Sequence, residues 1–120
     1  MLINISNHPI SSWSYEQLDM AKSRWGDVCD IPLPYIDPWI NGEEVIKKAE
    51  VDSRNYICQI QQYETPSAFH VMGESVYCFH LIRLLKEHGW SVVASTTTRD
   101  VMYVDGDKLS HFTFVKFREY

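Results

Sequence analysis

The sequence predicts a mixed α/β domain. Three observations carry that expectation. Short β-branched or aliphatic runs (Leu2–Ser6, Val28–Ile31, Ala68–Met72, Trp90–Ser95) alternate with stretches of helical periodicity. Each junction carries Pro, Gly or Asn, the residues that end regular structure. The last quarter of the chain loses its helical pattern and holds two strand-like runs around Asp105-Gly106.

The first run, Leu-Ile-Asn-Ile-Ser, is rich in residues that fit a pleated surface. Asn7-His8-Pro9 follows as a polar loop, because the residue before a proline is pushed out of the helical region. Ser14 and Gln17 have capping-box spacing, so a helix starts there. Leu18, Ala21 and Trp25 line its apolar face, and Gly26 stands where a glycine cap belongs. Val28–Ile31 is a second strand, ended by Pro32-Leu33-Pro34, with Asp37-Pro38 in an extended loop. Asn41-Gly42 precedes a helix with Glu43 and Glu44 in its first turn, where negative charge favours the dipole. Ile46, Ala49, Ser53 and Tyr56 form its inner stripe, and it runs to about Ile60. After Pro66-Ser67 comes a third strand, Ala68–Met72. A third helix follows Gly73-Glu74, with Cys78, Leu81, Ile82 and Leu85 facing inward and Gly89 closing it. Trp90–Ser95 is the fourth strand. Val101–Val104 and Leu109–Phe117 then form a hairpin. Alternating strands and helices imply parallel pairing with right-handed crossovers. The expected architecture is a single domain over residues 1–120. It is a Rossmann-like three-layer sandwich, mainly parallel, closed by a C-terminal antiparallel β-hairpin.

Composition narrows the function classes. With 120 residues and 45% hydrophobic side chains, the chain can bury one modest core. A net charge of −5 argues against a face that coats duplex nucleic acid. Cys29, Cys58 and Cys78 form no CxxC pair, and their odd number favours reduced thiols in a cytoplasmic protein, acting as small core residues. Asn4, Ser6, Asn7 and His8 interrupt the apolar start, so no secretory leader is expected. No apolar run approaches the roughly 20 residues of a membrane span. The histidines His70, His80, His88 and His111 have no metal-ligand spacing, so neither a metal nor a cofactor is expected. There is no GxGxxG and no GxxxxGK[ST].

Parallel strands deliver their carboxyl ends to one rim, where open α/β sheets bind ligands. The first strand brings Ser6, Asn7 and His8 there, the third Gly73 and Glu74, the fourth Ser95, Thr96, Thr97, Thr98 and Arg99. Hydroxyls and a guanidinium suit phosphate or carboxylate oxygens. His8 is the best-placed proton carrier, since imidazole titrates near neutrality. Gly73 permits close backbone approach, and Glu74 suits a ribose hydroxyl. Each has a plainer role as well. Asn7 and Pro9 make a polar turn, Glu74 complements a helix dipole, and threonines are good strand residues. Trp13, Trp39 and Trp90 read as core or interface residues, and Trp39 in its proline-flanked loop is placed to cover a ligand base.

On these residues the chain resembles the small stand-alone members of the CRISPR-associated Rossmann-fold (CARF) superfamily. The resemblance lies in the topology, the polar turn Ser6-Asn7-His8 and the segment Ser95–Arg99 that ends in a basic residue. Thr97 stands where the family motif usually has glycine, and the helix that commonly follows the motif is missing. The resemblance implies a homodimer in antiviral defence that binds a cyclic oligoadenylate near these segments. It further implies metal-independent phosphodiester cleavage, a ring nuclease activity, with Arg99 stabilising phosphoryl charge and His8 moving a proton. Two other readings stand beside it. One is a hydrolase or transferase for another small molecule, using Glu74, His8 and the threonine-rich rim. The other is a non-catalytic dimeric partner protein that pairs through Tyr103, Phe112, Phe114 and Phe117.

Overall fold

The computed structural model describes residues 1–64 and 66–120. Its elements follow the predicted alternation: β1 (Leu2–Ser6), a 3-10 turn (Ile10–Ser12), α1 (Tyr15–Trp25), β2 (Val28–Asp30), α2 (Gly42–Ile60), β3 (Ala68–Met72), α3 (Ser75–Glu87), β4 (Ser91–Val104) and β5 (Asp107–Glu119). The sheet order is β2-β1-β3-β4-β5, with β5 antiparallel to β4 and the other pairs parallel. No described helix is long and apolar enough to cross a membrane.

Strand alternation sorts the core into two layers. Ile3, Ile5, Phe69, Val71 and Val92 face α2 and α3, where Ala49, Tyr56, Ile60, Leu81 and Leu85 pack on them. Leu2, Ala68 and Val93 face the other way, against Trp13, Ala21, Trp25 and Phe117. This second layer is thinner because α1 is its one α-helix. Phe117 anchors it, with ring centroids 5.3 Å from Trp25, 5.9 Å from Trp13 and 5.0 Å from Phe114.

The helix signals have visible causes. Ser14 Oγ accepts from the Gln17 amide at 3.2 Å, as the capping spacing predicts. The return half of the box is absent, because the Gln17 side chain reaches Ser95 instead. Gly26 has φ of 87°, a value L-residues resist, and ends α1. The inner stripe of α2 is Val45, Ala49, Ser53, Tyr56 and Ile60, so Val45 takes the buried place expected of Ile46.

The largest departure lies in the last two strands. The sequence suggests that the fourth strand ends at Ser95 and that a separate hairpin strand starts at Val101. Instead β4 continues to Val104 and pairs with β5 from Val93 opposite Glu119 to Val104 opposite Asp107, with one register shift between Thr96 and Thr97. Threonine and arginine here are strand residues because β5 supplies the ladder their backbone needs. Asp105 and Gly106 turn the ribbon with φ of 52° and 84°, the paired positive values that match the strand twist. On its other edge β4 pairs with β3 only as far as Val93. Beyond that point the ribbon projects as two strands, and Met102, Tyr103, Leu109 and Phe112 are exposed. Two further expectations hold only in part. Cys58 is exposed, whereas Cys29 is half-buried against the α2–α3 layer and Cys78 is buried in it. Trp39 is exposed and is not a core residue, although Ile36 and Ile40 of the same loop pack against the α2–α3 layer.

Candidate functional site

The site grows from a polar row inside apolar strands. Asn4 in β1 and His70 in β3 are register partners. Both are 1% exposed, on the α1 side of the sheet. Burying such groups is costly unless each finds hydrogen bonds. Asn4 Nδ2 donates to the His8 carbonyl at 2.9 Å and to Asp30 Oδ1 at 2.7 Å. Asn4 Oδ1 lies 2.8 Å from His70 Nδ1 and 2.8 Å from Ser6 Oγ. His70 Nε2 lies 2.7 Å from Ser95 Oγ, which also accepts from Gln17 Nε2 at 2.9 Å. A continuous chain therefore joins Asp30, Asn4, His70, Ser95 and Gln17 across five elements. Burial, reinforced by the nearby His8 charge, lowers the His70 pKa from 6.5 to about 4, so the ring is neutral at neutral pH.

The same row pins the turn after β1. The His8 carbonyl receives Trp13 Nε1 at 3.0 Å as well as Asn4 Nδ2, and Asp30 accepts from the Ile10 amide at 3.2 Å. With its backbone held, His8 lines the wall of a cleft. That cleft, of about 460 Å³, lies between the start of α1 and the root of the ribbon. His8, Trp13, Gln17, His70, Ser95 and Thr97 supply its polar wall, and Met72, Phe112 and Phe114 its apolar one. Apolar walls with a few converging polar groups are what small-molecule sites are made of.

The structure brings together part of the expected set. His8, Ser95 and Thr97 share this cleft. Arg99 lies two residues further along β4, on the same face by alternation. Its guanidinium bonds Ser110 Oγ at 3.0 Å and lies 5.8 Å from the Phe112 ring centre. No carboxylate among the described residues pairs with it. Thr96 and Thr98 fall on the opposite face, and Thr96 Oγ1 bonds the Lys116 backbone. Ser6 and Asn7 line a neighbouring depression with Asp30 and Leu33. Gly73 lies in a separate apolar groove along α3 with Met72, Cys78 and Phe79. The space above its Cα is taken by the Leu33 side chain, so here the close approach is internal packing. Glu74 caps α3, its Oε2 accepting the Tyr77 amide at 2.7 Å.

The α3 groove is larger, about 600 Å³, but its charged groups are engaged. Arg83 pairs with Glu87, and Lys86 bonds the Tyr120 carbonyl. It offers apolar surface and little chemistry. Among the described residues no cluster of His, Cys, Asp and Glu has the arrangement of a metal site. Asn4, Gln17, Asp30 and His70 are absent from the sequence-derived set. A signal for two of them was present: a lone Asn in Leu-Ile-Asn-Ile and a lone His in Ala-Phe-His-Val, polar residues inside strands otherwise built for burial.

Fold and cleft together define a mixed α/β protein with a cleft of small-ligand size at the carboxyl ends of its parallel strands. The chain belongs to the uncharacterized protein MJ1673 family, whose model matches residues 1–118. No curated protein and no solved structure gives a significant match.

Proposed function

We propose that the protein is a Rossmann-like, CARF-type nucleotide-binding domain of the cytoplasm whose ligand is a cyclic oligoadenylate. One observation carries the reading: the cleft joins the buried His70 of β3 and its hydrogen-bonded partner Ser95 of β4 to the aromatic pair Phe112 and Phe114. Aromatic faces suit a base, and converging polar groups suit a sugar. The sheet order adds support, since a β1/β3 neighbour pair at the sheet centre is where doubly wound folds bind nucleotides. The charge of Arg99, which no carboxylate among the described residues pairs, lies beyond the cleft along β4 and suits a phosphate. A second copy of the chain is the proposed partner. The exposed apolar ribbon begins at the cleft wall, and two strands alone are marginal in water.

Cleavage is the further step of this reading. A ribose 2′-hydroxyl gives its proton to His8 and attacks the adjacent phosphorus. The bond to the leaving 5′-oxygen breaks, that oxygen takes a proton from water, and Arg99 balances the phosphoryl charge.

The test is a thermal-shift titration with linear and cyclic oligoadenylates, on wild type and on Thr97→Val. A ligand at 100 times its dissociation constant stabilises by about 2.7 kcal/mol. A shift with the cyclic ligand that weakens in the variant is expected. No shift with any oligoadenylate would overturn the reading.

A second reading has one specific observation behind it. Ser95, His70 and Asn4 lie in the order hydroxyl, imidazole, amide, the order of an activated nucleophile. It fits less well because burial makes His70 a weak base. Covalent labelling of Ser95 by a fluorophosphonate would favour it.

A further inference from the structure

We infer that Ser95 and His70 form a subsite that reads a hydrogen-bond donor of the ligand, a hydroxyl or amino group, and turns phosphate oxygens away. The inference deepens the nucleotide reading of the cleft and rests on it. It follows from the polarity of one hydrogen-bond chain. Asn4 Nδ2 faces two acceptors, the His8 carbonyl and Asp30 Oδ1, so its amide orientation is determined. Its Oδ1 therefore accepts, and His70 Nδ1, 2.8 Å away, carries the ring hydrogen. In a neutral imidazole the other nitrogen is then bare. Ser95 Oγ, 2.7 Å from His70 Nε2, must point its hydrogen there. With that hydrogen committed, Oγ can only accept from Gln17, which presents Nε2 at 2.9 Å.

A hydroxyl has one hydrogen and two lone pairs. Here the hydrogen and one lone pair are used, and Ser95 lines the cleft. What it offers a ligand is its second lone pair. An anionic oxygen placed there would meet lone pair with lone pair, next to a ring that burial keeps uncharged. A ribose hydroxyl or an exocyclic amine completes the set. Phosphate is left to the outer end of the cleft, toward Arg99, although Ser95 belongs to the very segment whose hydroxyls suggested phosphate binding in the sequence.

The experiment is a long-range proton–nitrogen correlation spectrum of the full chain with labelled histidines, near neutral pH. It is recorded alone, then with adenosine, glycerol, sulfate and a cyclic oligoadenylate. The expected result is His70 in its Nδ1–H form, with an Nε2 resonance that moves with adenosine and not with sulfate, an anion that only accepts. Ser95→Ala should weaken adenosine about tenfold, the loss of one hydrogen bond. An Nε2–H tautomer overturns the inference, as does an Nε2 signal that moves with sulfate or stays silent to every donor. The nucleotide reading fails separately: if glycerol moves the signal but adenosine and the cyclic oligoadenylate do not, the donor subsite stands and its ligand is not a nucleotide.

Discussion

Consider His70→Gln, a replacement that keeps a polar side chain and removes the titrating ring, followed by urea unfolding across a pH series. In the folded protein His70 has a pKa of about 4 rather than 6.5, because it is buried beside His8. A base whose folded pKa is depressed contributes stability that is present above the unfolded value and lost as pH falls toward the folded one. Between the two values the unfolded chain binds a proton that the folded protein refuses. The difference between 6.5 and 4 is worth about 3 kcal/mol, with about 2 kcal/mol already gone near pH 5. A domain of this size has a total stability of about 5–15 kcal/mol, so the loss is a large share of it. Wild type should therefore lose about 3 kcal/mol more than His70→Gln between about pH 7 and pH 4. The variant starts lower because it disturbs two buried hydrogen bonds, but its curve should be flatter. Parallel curves would show that His70 titrates alike in folded and unfolded chains, and the argument for a neutral ring in the site would fail.

The other predictions concern the supports of the site. Phe117→Ala should cost about 3–5 kcal/mol by urea unfolding, because Phe117 touches both Trp13 and Trp25 in the thinner layer. Asn4→Leu leaves the buried His70 Nδ1 without its partner and should cost about 1–3 kcal/mol, measured the same way. Gly106→Val places a β-branched residue at φ of 84° and should destabilise the ribbon turn, read as faster amide exchange in residues 100–111 with little change in the body. Tyr77→Phe removes the hydrogen bond from the buried Tyr77 hydroxyl to Asp52, at 2.7 Å, and should lower stability by about 1–2 kcal/mol.

Much of the fold was legible in local patterns. Ala68–Met72 is bounded by Ser67 and Gly73, and its strand matches the expected residues. The end of α2 at Ile60 and the turn at Asp105-Gly106 also follow from periodicity and turn chemistry. These features depend on neighbouring residues, which a sequence displays directly. The length of β4 does not, because Thr96–Arg99 is a strand only where β5 pairs with it. The site was half legible for the same reason. His8, Ser95 and Thr97 were found by their chemistry and their place after apolar runs. Gly73 and Glu74 were placed at the same rim, yet one packs under Leu33 and the other caps a helix.

The amino-acid order alone determined the alternation of strands and helices, the sites where each helix starts and stops, and the hairpin turn. Backbone sterics and hydrophobic period act over a few residues. Tertiary structure decided which polar groups meet. Asn4, His70 and Ser95 are separated by 66 and 25 residues along the chain, and sheet register with burial makes them one hydrogen-bonded row. Local sequence does not encode that register. It emerges when two apolar layers must both be filled and each buried polar atom must find a partner.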